Sequence, residues 1–81
     1  MRLPRDLSGT ELAALLERQG YSRVRQTGSH IRLVSVAMQR EHHVTVPAHK
    51  VLKVGTLSGI LTDVAAYLGV ERDALAKELF G

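Results

Sequence analysis

The stretch Arg25-Gln26-Thr27-Gly28-Ser29-His30-Ile31-Arg32 decides the fold. A glycine at the first position of a two-residue turn between alternating segments is typical of a type II′ β-hairpin, so we predict a turn at Gly28-Ser29. Pairing outward from that turn fixes the register of the two strands. The predicted pairs are Thr27 with His30, Gln26 with Ile31, Arg25 with Arg32, and Val24 with Leu33.

This register separates apolar from charged side chains, because directly opposed residues share a face of the sheet. We expect the face covered by helices to carry Val24, Ile31 and Leu33. The opposite, open face is then expected to carry Arg23, Arg25, His30 and Arg32. Two arginines directly opposite each other destabilise a strand pair by roughly a few tenths of a kcal/mol or more. Their presence favours an anionic ligand, although long solvated side chains can also splay apart.

A third strand is predicted over His43-Val44-Thr45-Val46, and Pro47 ends it because proline cannot continue regular pairing. A four-residue connection, residues 39–42, places Val44 and Val46 on the covered face. The same register, extended past Pro47, brings His49 toward Arg32.

Three apolar residues are left on the open face by this register, namely Val34, Val36 and Met38. Exposed apolar clusters on small proteins usually mark an interface. We therefore expect a protein partner to cover these three side chains.

Helices flank the strands. Ser8-Gly9-Thr10-Glu11 has the form of a capping box and predicts a helix over residues 9–19. A second helix is predicted from Thr56, as N-cap, to a stop at Gly69, and a short third one over residues 71–79. The order α-β-β-β-α with an extra C-terminal helix predicts one two-layer α+β domain over residues 1–81. Double-stranded-RNA-binding domains share this core order, which by itself establishes no function.

Composition excludes several classes of function. The chain contains no cysteine, so disulfide scaffolds, thiolate metal sites and cysteine nucleophiles are excluded. No apolar run approaches the roughly 20 residues of a membrane-spanning helix, and the first residues lack a signal-peptide apolar region. These features predict a cytoplasmic protein with no membrane partner.

Positive charge is concentrated in the middle of the chain. Of the 81 residues, 20–53 carry six lysines and arginines against the single acid Glu41, and they also hold all four histidines. This distribution predicts an anionic ligand, with RNA or DNA the leading candidates. A solvated basic surface is the alternative.

Cleavage of an RNA backbone requires a base for the ribose 2′-hydroxyl proton and cations for the charge that develops on phosphorus. Histidine suits the first task because both of its protonation states exist near neutral pH, and His30 is the candidate. Arg25 and Arg32 suit the second, together with Lys53, because guanidinium groups bind phosphate oxygens bidentately. The backbone N–H groups of Thr56 and Leu57 could hold one more phosphate at a helix start. From the residues alone, a turn-adjacent histidine is more often structural than catalytic.

The other histidines do not predict a metal site. Their spacing matches no helical pair, and strand alternation directs His42 and His43 to opposite faces. We expect His49 to hydrogen-bond the loop that leads into the second helix, with a supporting role in RNA binding as the alternative. Ser29 is a poor candidate for a nucleophile, because it has no acid partner nearby and its turn position explains its presence.

Three segments in fixed order resemble the HicA family of mRNA interferase toxins. They are residues 25–30, residues 44–49 (Val-Thr-Val-Pro-Ala-His) and residues 55–61 (Gly-Thr-Leu-x-x-Ile-Leu). The opening residues 7–16 and the pair Gly20-Tyr21 are similar too, and the resemblance covers about residues 3–68. It implies a double-stranded-RNA-binding-like fold, ribosome-independent mRNA cleavage, and neutralisation by a HicB-type antitoxin. The leading prediction is accordingly an endoribonuclease toxin that needs no metal or other cofactor. It also implies that His30, in the Gly-Ser-His motif, is catalytic.

The predicted site therefore has several parts. The RNA-binding candidates are Arg23, Arg25, Arg32, Lys50 and Lys53, with Ser29, His49 and Thr56 as supporting residues. A non-catalytic RNA-binding module with the same basic face is one alternative function. An interaction subunit whose sheet binds only protein is another.

Overall fold

The computed structural model describes residues 3–81 and contains, over that range, a helix, three strands and two further helices. The elements are α1 (Gly9–Glu17), β1 (Ser22–Thr27), β2 (His30–Ser35), β3 (His42–Pro47), α2 (Val54–Leu68) and α3 (Arg72–Phe80). The strands form one antiparallel sheet in the order β1-β2-β3. This confirms the predicted α+β class and the α-β-β-β-α order with an extra C-terminal helix.

Helix α1 begins at the predicted capping box. The N–H of Glu11 donates to Ser8 Oγ at 3.0 Å, and the N–H of Ser8 donates to Glu11 Oε1 at 2.9 Å. Hydrogen bonds with Ser8, from its backbone first and its side chain second, lower the pKa of the Glu11 carboxyl. The helix ends at Glu17, and Gly20 follows with φ +101°.

Helix α2 begins at Val54, so the prediction that Thr56 is its N-cap is wrong. Lys53 occupies the N-cap position, and its side chain makes no capping hydrogen bond. Lysine is not among the residues that signal a helix start, which explains the error. At the other end Gly69 stops the helix as predicted, with φ +73°, and the N–H of Val70 donates to the carbonyl of Ala65 at 3.0 Å.

The first hairpin forms at the predicted turn. Its three pairs nearest the turn have the predicted register, and the register changes beyond Arg25. Gly28 has φ +55°, and Arg25 lies opposite Arg32 as predicted. A β-bulge follows, so that Arg23 rather than Val24 lies opposite Leu33. The prediction that Val24 faces the helices is wrong, and this residue is 54% exposed. A bulge adds one residue to a strand and changes the face on which the residues beyond it lie.

The second hairpin is longer than predicted. Six residues, 36–41, connect β2 to β3, and Thr45 rather than His49 lies opposite Arg32. The residue opposite Arg32 is thus four positions earlier than predicted. An even shift keeps every side chain on its predicted face, so Val44 and Val46 still face the helices. The proximity predicted for His49 and Arg32 is wrong.

The helices cover one face of the sheet and leave the other open. The strands contribute Ile31, Leu33, Val44 and Val46 to the core, and α1 and α2 contribute Leu12, Leu16, Leu57, Leu61 and Val64. Helix α3 packs against α2. Over residues 3–81, no helix has the length and apolar character needed to cross a membrane.

Candidate functional site

A depression of about 320 Å³ lies on the open face of the sheet. Its lining residues are Arg25, Thr27, His30, Arg32 and Thr45. The strand register explains this set, because Arg25, Arg32 and Thr45 form one row across the three strands and Thr27 lies opposite His30 in the next row. Alternation along each strand directs all five side chains away from the core.

His30 is the first residue of β2, and its position is fixed by pairing on both sides. Its Cα lies opposite Thr27 on β1 and opposite Pro47 on β3. Within residues 3–81, no hydrogen bond or ion pair occupies its ring. Both ring nitrogens are therefore available to a ligand in the depression.

Arg25 and Arg32 give the depression its charge. They lie directly opposite each other, both are exposed, and neither forms an ion pair with any acid in residues 3–81. Like charges in this arrangement destabilise a strand pair. An anion bound between them would remove that repulsion, and the paired guanidinium groups suit a phosphate.

Arg23 does not belong to this site, contrary to its predicted place on the open face. Because of the bulge it lies opposite the buried Leu33. Its Nη2 is 3.4 Å from Oε1 of Glu17 at the end of α1. Arg23 thus faces the helical layer.

The remaining predicted polar residues lie outside the depression. Lys50 is exposed in the segment between β3 and α2, and Lys53 is the exposed N-cap of α2. Thr56 is exposed in the first turn of α2. The N–H of Leu57 already donates to the carbonyl of Lys53 at 3.0 Å, so its predicted phosphate contact is wrong.

Ser29 and His49 act through their backbone atoms. The carbonyl of Ser29 accepts from the N–H of Ala48 at 2.6 Å, and the carbonyl of His49 accepts from the N–H of Gly9 at 2.9 Å. His49 therefore attaches its segment to α1, whereas the prediction was a contact near the second helix. Sequence reasoning missed Thr27 and Thr45 as lining residues, although the Thr27–His30 pair itself was predicted.

The three apolar candidates do not form one patch on the sheet. Val34 is partly buried on the open face, opposite Ser22 and His43. Val36 and Met38 lie in the β2–β3 connection, where they are 65% and 46% exposed. Val36 and Met38 are therefore exposed, as predicted. They lie in the connection and not on the open face of the sheet, so the predicted position is wrong for these two residues.

A second histidine site, which sequence reasoning missed, lies at the other end of the sheet. His42 Nδ1 is 2.7 Å from the Tyr21 hydroxyl, and His42 Nε2 is 3.2 Å from Asp63 Oδ1. The ring of Tyr67 stacks on the imidazole, with 4.6 Å between centroids. We call these four residues the His42 cluster. Burial first, and then the nearby Tyr67 and Asp63, raise the pKa of Tyr21 to about 12.

The His42 cluster organises the β2–β3 connection. The Tyr67 hydroxyl accepts from the N–H of Met38 at 3.0 Å and lies 2.6 Å from the carbonyl oxygen of Arg40, to which it donates. Within that connection Gln39 has φ +64°, in the left-handed region. His42 and His43 face opposite sides, as predicted, and over residues 3–81 no three His, Asp or Glu side chains converge as a metal site would require.

The fold and the depression define a small α+β domain that has the α-β-β-β-α order of double-stranded-RNA-binding domains and a basic depression on its open sheet face. A comparison with family models matches residues 9–65 to the family described as HicA toxin of bacterial toxin-antitoxin. The chain belongs to the HicA toxin family, and the match spans α1, the whole sheet and most of α2. Helix α3 lies beyond the matched range. Comparisons with curated proteins and with solved structures gave no match.

Proposed function

We propose that this toxin is a metal-independent endoribonuclease that cleaves single-stranded mRNA in the cytoplasm. The observation that carries the proposal is the position of His30. Its unoccupied ring shares one depression with two opposed arginines that no acid neutralises within residues 3–81. Its place in a family of toxins supports the proposal as well.

His30 is proposed as the general base. It takes the proton of a ribose 2′-hydroxyl, and the 2′-oxygen then attacks the adjacent phosphorus while the bond to the 5′-oxygen breaks. The departing oxygen receives a proton from the histidinium or from water. The products are a 2′,3′-cyclic phosphate and a 5′-hydroxyl. Removing a general base typically slows a reaction by roughly 100- to 10,000-fold.

The other lining residues are proposed to hold the scissile phosphate. Arg25 and Arg32 bind its non-bridging oxygens and stabilise the charge that develops during attack. The hydroxyl groups of Thr27 and Thr45 donate further hydrogen bonds from the same depression. Lys50 and Lys53, exposed outside it, bind neighbouring phosphates without sequence preference.

A toxin–antitoxin system supplies a protein partner, and we infer a HicB-type antitoxin that covers the open face. Val34 on that face and the exposed Val36 and Met38 beside it are the proposed apolar contacts. Binding there would place the antitoxin over the same side of the sheet as His30. Inhibition would then follow from exclusion of RNA.

The test is cleavage of a synthetic single-stranded RNA by the purified protein in the presence of EDTA. We expect cyclic-phosphate products from the RNA and none from the same sequence made with 2′-deoxy nucleotides. The variant His30→Ala, purified in parallel, should cleave roughly 100- to 10,000-fold more slowly. His43→Ala is the matched control, since His43 is exposed on the same face beside Glu41 and outside the depression.

Two outcomes would overturn the proposal. Equal cleavage by the parent and by His30→Ala would assign the activity to another residue or to a contaminating nuclease. Salt-dependent RNA binding without cleavage would identify a non-catalytic RNA-binding module instead.

A further inference from the structure

Gly9, the first residue of α1, lies in unusually close contact with the end of β3. It is buried, and a Cβ added to it would lie 1.8 Å from the carbonyl oxygen of Pro47 and 3.0 Å from the Cα of Ala48. Both obstacles are backbone atoms, so no side-chain rotation could make room. Only glycine allows α1 and the segment after β3 to approach this closely.

Two hydrogen bonds continue from this contact to the turn before His30. The N–H of Gly9 donates to the carbonyl of His49 at 2.9 Å. One residue earlier, the N–H of Ala48 donates to the carbonyl of Ser29 at 2.6 Å. Pro47, which lies opposite His30, has no N–H, so Ala48 is the first residue beyond it that can donate to the turn.

The segment that follows β3 is also attached at its far end, at Leu52. The N–H of Leu52 donates to the carbonyl of Leu7 at 2.8 Å, and Leu52 is buried. By contrast, the turn itself is exposed, and nothing lies within 4 Å of a Cβ placed on Gly28. Within residues 3–81, the bond from Ala48 is the only backbone hydrogen bond that joins the turn to a segment outside its own hairpin.

We propose that Gly9 is a positioning residue for His30. It acts through the segment of residues 47–49, which fixes the carbonyl of Ser29 and hence the start of β2. This inference rests on the proposed function, because it assigns a catalytic consequence to the position of His30. A reacting group displaced by about 1 Å can lose roughly 100-fold in rate, so a contact remote from the chemistry can control it.

The first test compares cleavage by Gly9→Ala with cleavage by the parent protein at saturating RNA. We expect kcat per folded molecule to fall by about 10- to 100-fold, with KM changed less than about twofold, because Arg25 and Arg32 keep their places. Gly59→Ala is the matched control, since a Cβ on this helical glycine meets nothing within 4 Å. An unchanged kcat in folded Gly9→Ala, or a change in KM alone, would overturn the proposal.

If Gly9→Ala does not fold, Ala48→Pro replaces it, because this change removes the N–H donated to Ser29 and leaves Gly9 intact. The same fall in kcat is expected, and parental kcat would overturn the proposal.

Hydrogen exchange of the parent protein provides a second test that needs no variant. We expect the amide of Ala48 to exchange at least about 100-fold more slowly than an unstructured amide, as does the amide of Gly9. Exchange of Ala48 at the unstructured rate would overturn the proposal even if the parent cleaves RNA. Absence of cleavage with a protected Ala48 amide would instead contradict the proposed function and leave the attachment of the turn established.

Discussion

His30 and His42 lie on the same sheet, at opposite ends and on opposite faces. His30 begins β2 on the open face, where its ring has no hydrogen-bond partner within residues 3–81. His42 begins β3 opposite the buried Ser35, on the side of the helices. Both of its ring nitrogens are occupied, one by Tyr21 and the other by Asp63.

The difference separates a histidine that stabilises the fold from one that is available for chemistry. A partly buried imidazole with two partners and a stacked ring contributes to stability because its removal leaves polar groups unpaired. An exposed imidazole beside two unneutralised cations contributes little to packing. Its surroundings instead favour the binding of an anion.

The largest expected effect on stability is that of His42→Ala. This change removes the hydrogen bond with Tyr21, the contact with Asp63 and the stacked ring, and it leaves the buried Tyr21 hydroxyl without a partner. We expect the free energy of unfolding to fall by about 3 kcal/mol, measured by urea denaturation. His30→Ala, the control at the other end of the sheet, should stay within about 0.5 kcal/mol of the parent. Similar losses of unfolding free energy in both variants would contradict the assignment of a stabilising role to His42 alone.

Alkaline pH should weaken the His42 cluster in a predictable direction. The pKa of Tyr21 is raised from 10.0 to about 12 in the folded protein, so folding favours the protonated phenol. Its contribution is fully present below pH 10 and is lost as the pH rises through 12. This direction follows from the linkage between protonation and folding. Urea denaturation from pH 9 to 12 should therefore show a steeper decline for the parent than for Tyr21→Phe, and parallel declines would contradict the assignment.

A smaller effect is expected in the β2–β3 connection, beside the open face. Val36→Asp should weaken the complex with the cognate antitoxin by more than about 1 kcal/mol, because it places a charge in the proposed contact. Isothermal titration calorimetry would measure the change. Val70→Asp is the matched control, since Val70 is a 47% exposed valine beyond α2. Equal affinities for the parent and Val36→Asp, with the fold intact, would rule out this interface.

The smallest effect is expected for single arginines of the depression. Arg25→Ala or Arg32→Ala should each raise the RNA concentration for half-maximal cleavage severalfold. Each should also reduce the slope of log affinity against log salt by about 0.7, the value for one single-strand phosphate contact. Arg72→Ala is the control, because Arg72 already bonds to Asp73 on α3. Unchanged slopes in both depression variants would indicate an ordinary solvated surface.

Much of the fold could be predicted because its signals are local. Ser8 and Glu11 are three residues apart, and the turn at Gly28-Ser29 fixes the neighbouring pairs by itself. The bulge at Val24 could not be predicted, because Arg-Val-Arg alternates as a regular strand does and a period of two does not reveal an added residue. The length of the β2–β3 connection depends on Tyr67, which bonds to Met38 from 29 residues away in the sequence.

The two histidine sites also differ in how far they could be predicted from local sequence. His30, Arg25 and Arg32 follow from one hairpin, and Thr27 and Thr45 lie where correct pairing puts them. The His42 cluster joins a residue just before β1 to residues of β3 and α2, and Tyr21 and His42 are 21 residues apart in the sequence. No local pattern marks such a cluster, because its chemistry exists only after the helices pack on the sheet.

Val24 lies opposite no residue of β2, so a chain that lacked it would keep every other pair of the first hairpin. Loss of a single residue within β2, such as Arg32, would exchange the two faces of part of that strand and place charge in the core. Changes in chain length should therefore be tolerated at residue 24 and rejected within β2. Substitutions on the open face leave the strand register unchanged. The ligand preference of this surface can therefore diverge among related proteins while the fold persists.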